Sequence, residues 1–386
     1  MKLERPESYF IEEKMKRSWG AQLVLLSMID EICRRHDLTW YADYGTLLGA
    51  ARPRGFVPWD DDLDISMPRE DYDRAMELFP KELPSYCPVF RFGTEGNLFR
   101  GWSNVNNRIH IDTGDSEEEA EITRRYCGSP FQDGIDIFPM DRVPADPAAR
   151  EKWLTLYEDI MVILRDHEDF DAHRREHEPG LKSIEARIGG KLPRGASLRE
   201  ALCALAEETA RSCPGGESVG VNNVTNMAHF TPDRWRDPAW YADTVYLPFE
   251  MIKMPVPAGY QAILTSIYGA GWSVPVRGTA VHDYPFYKKQ EAWIRDYQVD
   301  KVIREAERLE EAGDTAAELD LLQDAIGRFP DRYEPYFLTA RVVVESDVYL
   351  ARDLLREAYR LCEDEGNRTA IGQELEKFKV LDGGQQ

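Results

Sequence analysis

The sequence predicts an α+β domain of interleaved strands and helices, followed by an all-helical extension. Up to about residue 290, apolar positions at helical spacing alternate with short runs of two-residue period. Beyond about 291 the composition turns to helix formers and an internal repeat sets in. The 386 residues have room for both parts. We place a first domain at 1–290, with a helical insertion at about 146–220, and a helical region at 291–386.

The first expected helix covers 16–36, where Leu23, Leu26, Met28, Ile29, Ile32 and Cys33 recur at steps of three and four. Residues 38–42 suit a strand leading into a Gly45-Thr46 turn. A short helix over 47–51 is stopped by Pro53, and a strand over 62–65 is ended by Pro68. A helix over 69–78 follows. Extended pieces are expected at 89–92 and 105–111, and the acidic run 115–121 reads as a solvated loop. Residues 134–138 form an apolar strand interrupted by Asp136, whereas Asp141, after a proline, reads as a cap or turn residue.

In the insertion, Trp153, Leu156, Tyr157, Ile160 and Leu164 have the spacing of core positions. The stretch with His167, His173, Arg174, Arg175 and His177 reads as an exposed face rather than a metal site. A strand near 247, a helix over 259–268 and a Gly/Trp/Pro-rich loop close the domain. In the extension, aligning Asp314 with Asp347 also pairs Leu321-Leu322 with Leu354-Leu355 and Ala325 with Ala358. The period of 33 is close to the roughly 34 residues of a tetratricopeptide unit. A plain helical bundle is the alternative.

A formal charge of −22 argues against a nucleic-acid partner, since affinity for a phosphate backbone comes from clustered Lys and Arg. The six cysteines show no paired spacing and read as free thiols of a reducing compartment. The N-terminus lacks an apolar signal core, and no run approaches the roughly 18 apolar residues of a membrane span. The expected location is cytoplasmic, with peripheral attachment at the inner face of the membrane as a variant.

The chemistry concentrates in residues 40–73. Two-residue period puts Asp62 and Asp64 on one strand face, where paired carboxylates repel unless a cation lies between them. Hard oxygen donors of this kind suit Mg²⁺ or Mn²⁺ shared with substrate phosphates. Asp136 is the natural third carboxylate, because a lone charge inside an apolar strand needs a partner. Asp60 is a further ligand or support, and Asp61 is expected to point away. The Gly45 and Thr46 amides and the Thr46 hydroxyl would cradle a phosphate, with Arg52 or Arg54 adding charge-assisted contacts. A calcium loop starting at Asp60 is excluded by Ile65 where the turn needs Gly and by Asp71 where it needs Glu. Trp59, Trp102, Tyr126, Trp272 and Tyr284 could cage a quaternary ammonium, although aromatic residues more often form core.

The run YGTLLGAARPRGFVPWDDDLDISMPREDYD resembles the signature of the LicD family, which includes bacterial phosphocholine transferases and is related to fukutin-type ribitol-phosphate transferases. The resemblance continues at Gly134–Asp141, Leu247–Glu250, Val256-Pro257, Tyr268-Gly269 and His282–Pro285, within residues 16–290. It implies a nucleotidyltransferase-like mixed sheet of the polymerase-β type, flanked by helices. It also implies Gly45 and Thr46 as the phosphate turn, Asp62, Asp64 and Asp136 as metal and catalytic carboxylates, and Arg108 and His282 as substrate contacts. The implied reaction moves a substituted phosphate, phosphocholine or a polyol phosphate, from a CDP-linked donor to a glycan or glycolipid hydroxyl. Two other readings stand beside it. One is an Asp-x-Asp glycosyltransferase, disfavoured by the Gly-Thr turn. The other is a silent scaffold, disfavoured by the intact carboxylates, although 291–386 is expected to contact a protein partner or a second copy.

Overall fold

Helix α1 (Glu13–Arg35) buries Trp19, Leu23, Leu26, Ile29 and Ile32 along one stripe, as the expected period requires. The structure is a computed structural model and describes residues 10–98, 100–166, 173–195, 197–229, 233–276 and 284–378. The chain divides into two compact units, Met1–Lys288 and Lys289–Gln386.

In the first unit the order continues β1 (Tyr41–Ala42), α2 (Tyr44–Ala51), β2 (Leu63–Pro68), α3 (Arg69–Glu82), β3 (Val89–Phe90), β4 (Ser103–Asn106), α4 (Glu117–Arg125) and β5 (Gly134–Pro144). These strands form one sheet in the order β1-β2-β5-β4-β3. β2 and β5 are parallel, whereas β1–β2, β3–β4 and β4–β5 are antiparallel, so the sheet is mixed. Leu63, Ile65, Ile135 and Ile137 are fully buried, with α1 and α3 packed on the sheet. The two-residue period turns Asp64 and Asp136 to the opposite face. There they are register partners on neighbouring strands.

Helices α5 (Pro147–Arg165), α6 (Arg174–Ile188) and α7 (Ser197–Arg211) form the insertion. Its core includes Trp153, Tyr157, Ile160, Leu181, Leu202 and Ala206. β6 (Ser218–Asn222) then pairs antiparallel with the end of β5. α8 (Val224–His229), a 3-10 turn at Pro238–Tyr241, the hairpin β7 (Thr244–Phe249) and β8 (Ile252–Pro257), and α9 (Tyr260–Tyr268) follow.

α10 (Tyr287–Ala312) leads into the second unit, which continues with α11 (Thr315–Arg328), α12 (Tyr333–Val343), α13 (Val348–Leu361) and α14 (Glu365–Glu376). The residues paired by the repeat do equivalent work. Asp314 and Asp347 cap α11 and α13, accepting from Ala317 N and Leu350 N. Leu322 and Ala325 fill one core and Leu355 and Ala358 the next. Among the described residues, no helix is long and apolar enough to cross a membrane.

Several local expectations are corrected. The strand at 38–42 shrinks to Tyr41–Ala42, and α2 begins at Tyr44 because the Asp43 carboxylate accepts from Tyr44 N. Gly45 and Thr46 therefore form a helix's first turn rather than a loop. The strand expected at 105–111 is Ser103–Asn106. The acidic run contributes to α4: Ser116 caps it, Glu117 to Glu119 occupy the positive end of the helix dipole, and Arg124 and Arg125 the negative end. Helix α3 extends to Glu82, with Pro80 inside it. Asp141 is no turn residue, since pairing with β6 carries β5 through it. It is 1% exposed and accepts from Arg69 Nε and Nη2 at 2.7 and 2.8 Å.

Candidate active site

Three backbone ties hold the site's frame. Asp43 N–H donates to Asp64 O at 3.0 Å, Asp64 N–H donates to Thr46 Oγ1 at 2.8 Å, and Trp19 Nε1 donates to Asp60 O at 3.0 Å. They fasten the first turn of α2 and residue 60 around the start of β2. A Cβ at Gly45 would lie 2.2 Å from Asp60 Oδ2, so glycine leaves that carboxylate in its place at the cavity.

On this frame the carboxylates converge. Asp64 and Asp136 lie side by side across the parallel pair. Asp136 accepts from Asn104 Nδ2 at 2.6 Å and lies 3.4 Å from Arg100 Nη1. Asp60, Asp61 and Asp62 each place an oxygen within 4.8 Å of the others, so Asp61 is not turned away from its neighbours. Its Oδ2 also accepts from Phe286 N at 2.7 Å. Burial, then the charges of Asp62, Asp136 and Asp60, push the Asp64 carboxyl well above the usual range. Burial and the neighbouring Asp62 and Asp61 do the same at Asp60. Burial also raises Asp136, against the opposing effect of Arg100, Asn104 and Trp102. Asp133, which the sequence reading passed over, is buried nearby and accepts from Gln22 Nε2 at 2.9 Å. Crowded, desolvated carboxylates are unfavourable for a bare protein and suited to a hard divalent cation. The oxygens of Asp60, Asp61 and Asp62, within 4.8 Å of one another, fit such an ion; Asp64 and Asp136 do not join that group.

Asp60, Asp62 and Asp64 border a cavity of about 670 Å³, together with Tyr44, Gly45 and Arg52. Arg52 Nη1 donates to Trp272 O at 3.0 Å and Val274 O at 3.4 Å. Of the candidate aromatics, Trp59, Trp102 and Trp272 line the cavity. Tyr126 is buried against Cys87 instead, and Tyr284 OH reaches Pro58 O at 3.5 Å. Two expected substrate contacts lie elsewhere. Arg54 is exposed, with φ of +61°, and does not line the cavity. Arg108 is fully buried and ties Thr123, Ser129 and Pro130 together. His282 lies outside the described residues.

The cavity's other wall was not anticipated. Asn222, Asn226, Arg234, Trp235 and Arg236 line it from around β6 and α8, and Tyr268 from the end of α9. Asn226 Nδ2 donates to Tyr44 OH. Arg236 Nη1 donates to Asp43 Oδ2 at 2.7 Å and to Tyr241 OH at 3.0 Å.

Residues 37–145 hold all of these carboxylates and match the family described as LicD/FKTN/FKRP, nucleotidyltransferase domain. Over this segment the chain is similar to that family. The lipopolysaccharide cholinephosphotransferase LicD of Haemophilus influenzae is 41% identical over 129 residues, which cover 33% of this chain and 45% of that protein. The ribitol 5-phosphate transferase FKRP of Mus musculus is 34% identical over 77 residues, 19% of this chain and 16% of that one. The chain thus spans under half the length of either relative. No solved structure matches it.

Proposed function

We propose that this chain is a LicD-type, Mg²⁺-dependent phosphotransferase, with Mn²⁺ as an alternative ion. It moves phosphocholine or a polyol phosphate from a CDP-linked donor to a hydroxyl of a cell-surface glycan or glycolipid precursor. The observation that carries this reading is the register of Asp64 beside Asp136, with Asp60, Asp62 and Asp64 lining the cavity. The names of the two relatives support the transferred group.

Asp60, Asp62, Asp64 and Asp136 would hold the ion, which supplies charge neutralisation for a transferring phosphoryl group. Gly45 and Arg52, which line the cavity, bind and orient the donor phosphates, while buried Thr46 holds β2 in place through its hydroxyl. Asp136 accepts the proton of the attacking hydroxyl. A bond forms between the acceptor oxygen and the phosphorus that bears the carried group. The bond from that phosphorus to the bridging oxygen breaks, and CMP leaves with the electron pair. Arg108 has no part in the proposal, because its guanidinium is enclosed away from the cavity.

A panel of CDP-choline, CDP-ribitol and UDP-sugars tests the reading. Release of CMP from a CDP donor is expected, with no turnover of UDP-sugars. Turnover of UDP-sugars alone would establish a glycosyltransferase instead. The repeated caps and cores of α11 to α14 support a tetratricopeptide-like reading of the second unit, as a docking element for a protein partner or a second copy.

A further inference from the structure

With a formal charge of −22 on the chain and three aspartates at the cavity, a phosphate-bearing ligand must find its positive charge locally. Among the described residues, three arginines line the cavity. They are not equivalent. Arg234 is exposed and donates to Ser266 O at 3.1 Å. Arg52 is drawn to the Trp272 and Val274 carbonyls.

Arg236 is 3% exposed. Its ties to Asp43 and Tyr241 both run through Nη1, and its Nε and Nη2 make no hydrogen bond to a described residue. Its backbone is clamped, because the N–H groups of Arg236 and Val221 each donate to the other's carbonyl at 2.9 Å. Val221 belongs to β6, whose partner β5 carries Asp136. Asp43 in turn donates its N–H to Asp64 O. The guanidinium is therefore fixed to both carboxylate-bearing strands, with donors to spare at a cavity wall. The guanidinium lies over the ring of Tyr44, another lining residue, at 5.4 Å, and a planar fork matches phosphate oxygens better than a single point charge does.

We propose that Arg236 binds the diphosphate of the activated donor, forming the anion subsite of the cavity. This rests on the phosphotransferase reading. It adds to Gly45 and Arg52 a determinant from outside the matched segment 37–145.

The competing role is a structural ion pair with Asp43. Calorimetric titration of the full chain with inorganic pyrophosphate in Mg²⁺ separates the two. Asp43→Asn keeps the cap and the cation, so its affinity should stay within a few-fold of wild type. The double variant Asp43→Asn/Arg236→Gln keeps a neutral hydrogen-bonded pair and removes the charge. It should bind roughly 10- to 100-fold more weakly, with a melting temperature matching Asp43→Asn. Should the double variant not fold, Arg236→Lys replaces it. That variant keeps the charge but loses the fork, and should bind several-fold more weakly. Equal affinity in the charge-removed and Asp43→Asn chains, loss already complete in Asp43→Asn, or no pyrophosphate binding by wild type would overturn the proposal. Pyrophosphate binding intact alongside no CMP release from any CDP donor would instead count against the phosphotransferase reading alone.

Discussion

At Gly45 a single methyl group would separate the carboxylates from their frame, because it would fall on Asp60 Oδ2. The obstructing atom is the end of a side chain that can rotate. Gly45→Ala should therefore cost no more than about 1 kcal/mol of stability, while displacing Asp60 and lowering turnover about 100-fold. Urea unfolding and CMP release measure the two effects separately. Arg69 is the opposite case, a residue whose loss acts on stability. Burial pushes Asp141 up to about 6 even beside Arg69. The folded state then holds that proton more tightly than the unfolded chain does. The stability due to this carboxyl is full below about pH 4 and is lost as pH rises through about 6. Without the guanidinium the carboxyl rises further, so Arg69→Met should cost about 3–5 kcal/mol near neutral pH and less at about pH 5. Urea unfolding at both pH values checks this, and an equal deficit would contradict it. Asp64 and Asp136 were legible in the sequence because strand period is local and a charge in an apolar run stands out. Arg236 was not, since its partner Asp43 lies 193 positions away. No spacing rule reaches that far.

At the scale of elements, α2 shows how closely the site is packed. A Cβ at Gly49 would lie 2.4 Å from Gly55 O and 3.0 Å from Phe249 Cε2. Backbone and a buried ring cannot yield as Asp60 can, so Gly49→Ala should destabilise the chain by about 1–3 kcal/mol. Chemical denaturation gives the value, and an unchanged midpoint would mean that α2 is packed more loosely. The long amphipathic helices and the strands around residues 65 and 137 follow from periodicity alone. α4 did not, because Ile122 is its one buried residue and a helix held by caps and charge pairs has almost no apolar stripe to read. The continuation of β5 through Asp141 was equally hidden. It depends on β6, a strand from beyond the insertion.

For the whole molecule, the division at Lys288 places the carboxylates and the cavity in one unit and the capped helical pairs in the other. A chain ending at Asp300, which keeps Tyr287 and its bond to Glu12, should release CMP at the full-length rate. A loss of about tenfold or more in steady-state turnover would give the second unit a catalytic role. The repeat was readable because the same spacing recurs on alternate helices, α11 and α13. The most direct test of the account is Mg²⁺-dependent CMP release from CDP-choline and CDP-ribitol by wild type, Asp64→Asn and Asp136→Asn. Wild type should need the metal, and each variant should lose roughly a thousandfold in rate while its melting temperature stays the same or rises, because like-charge repulsion is relieved. Metal-independent turnover, or turnover retained in either variant, would contradict the account.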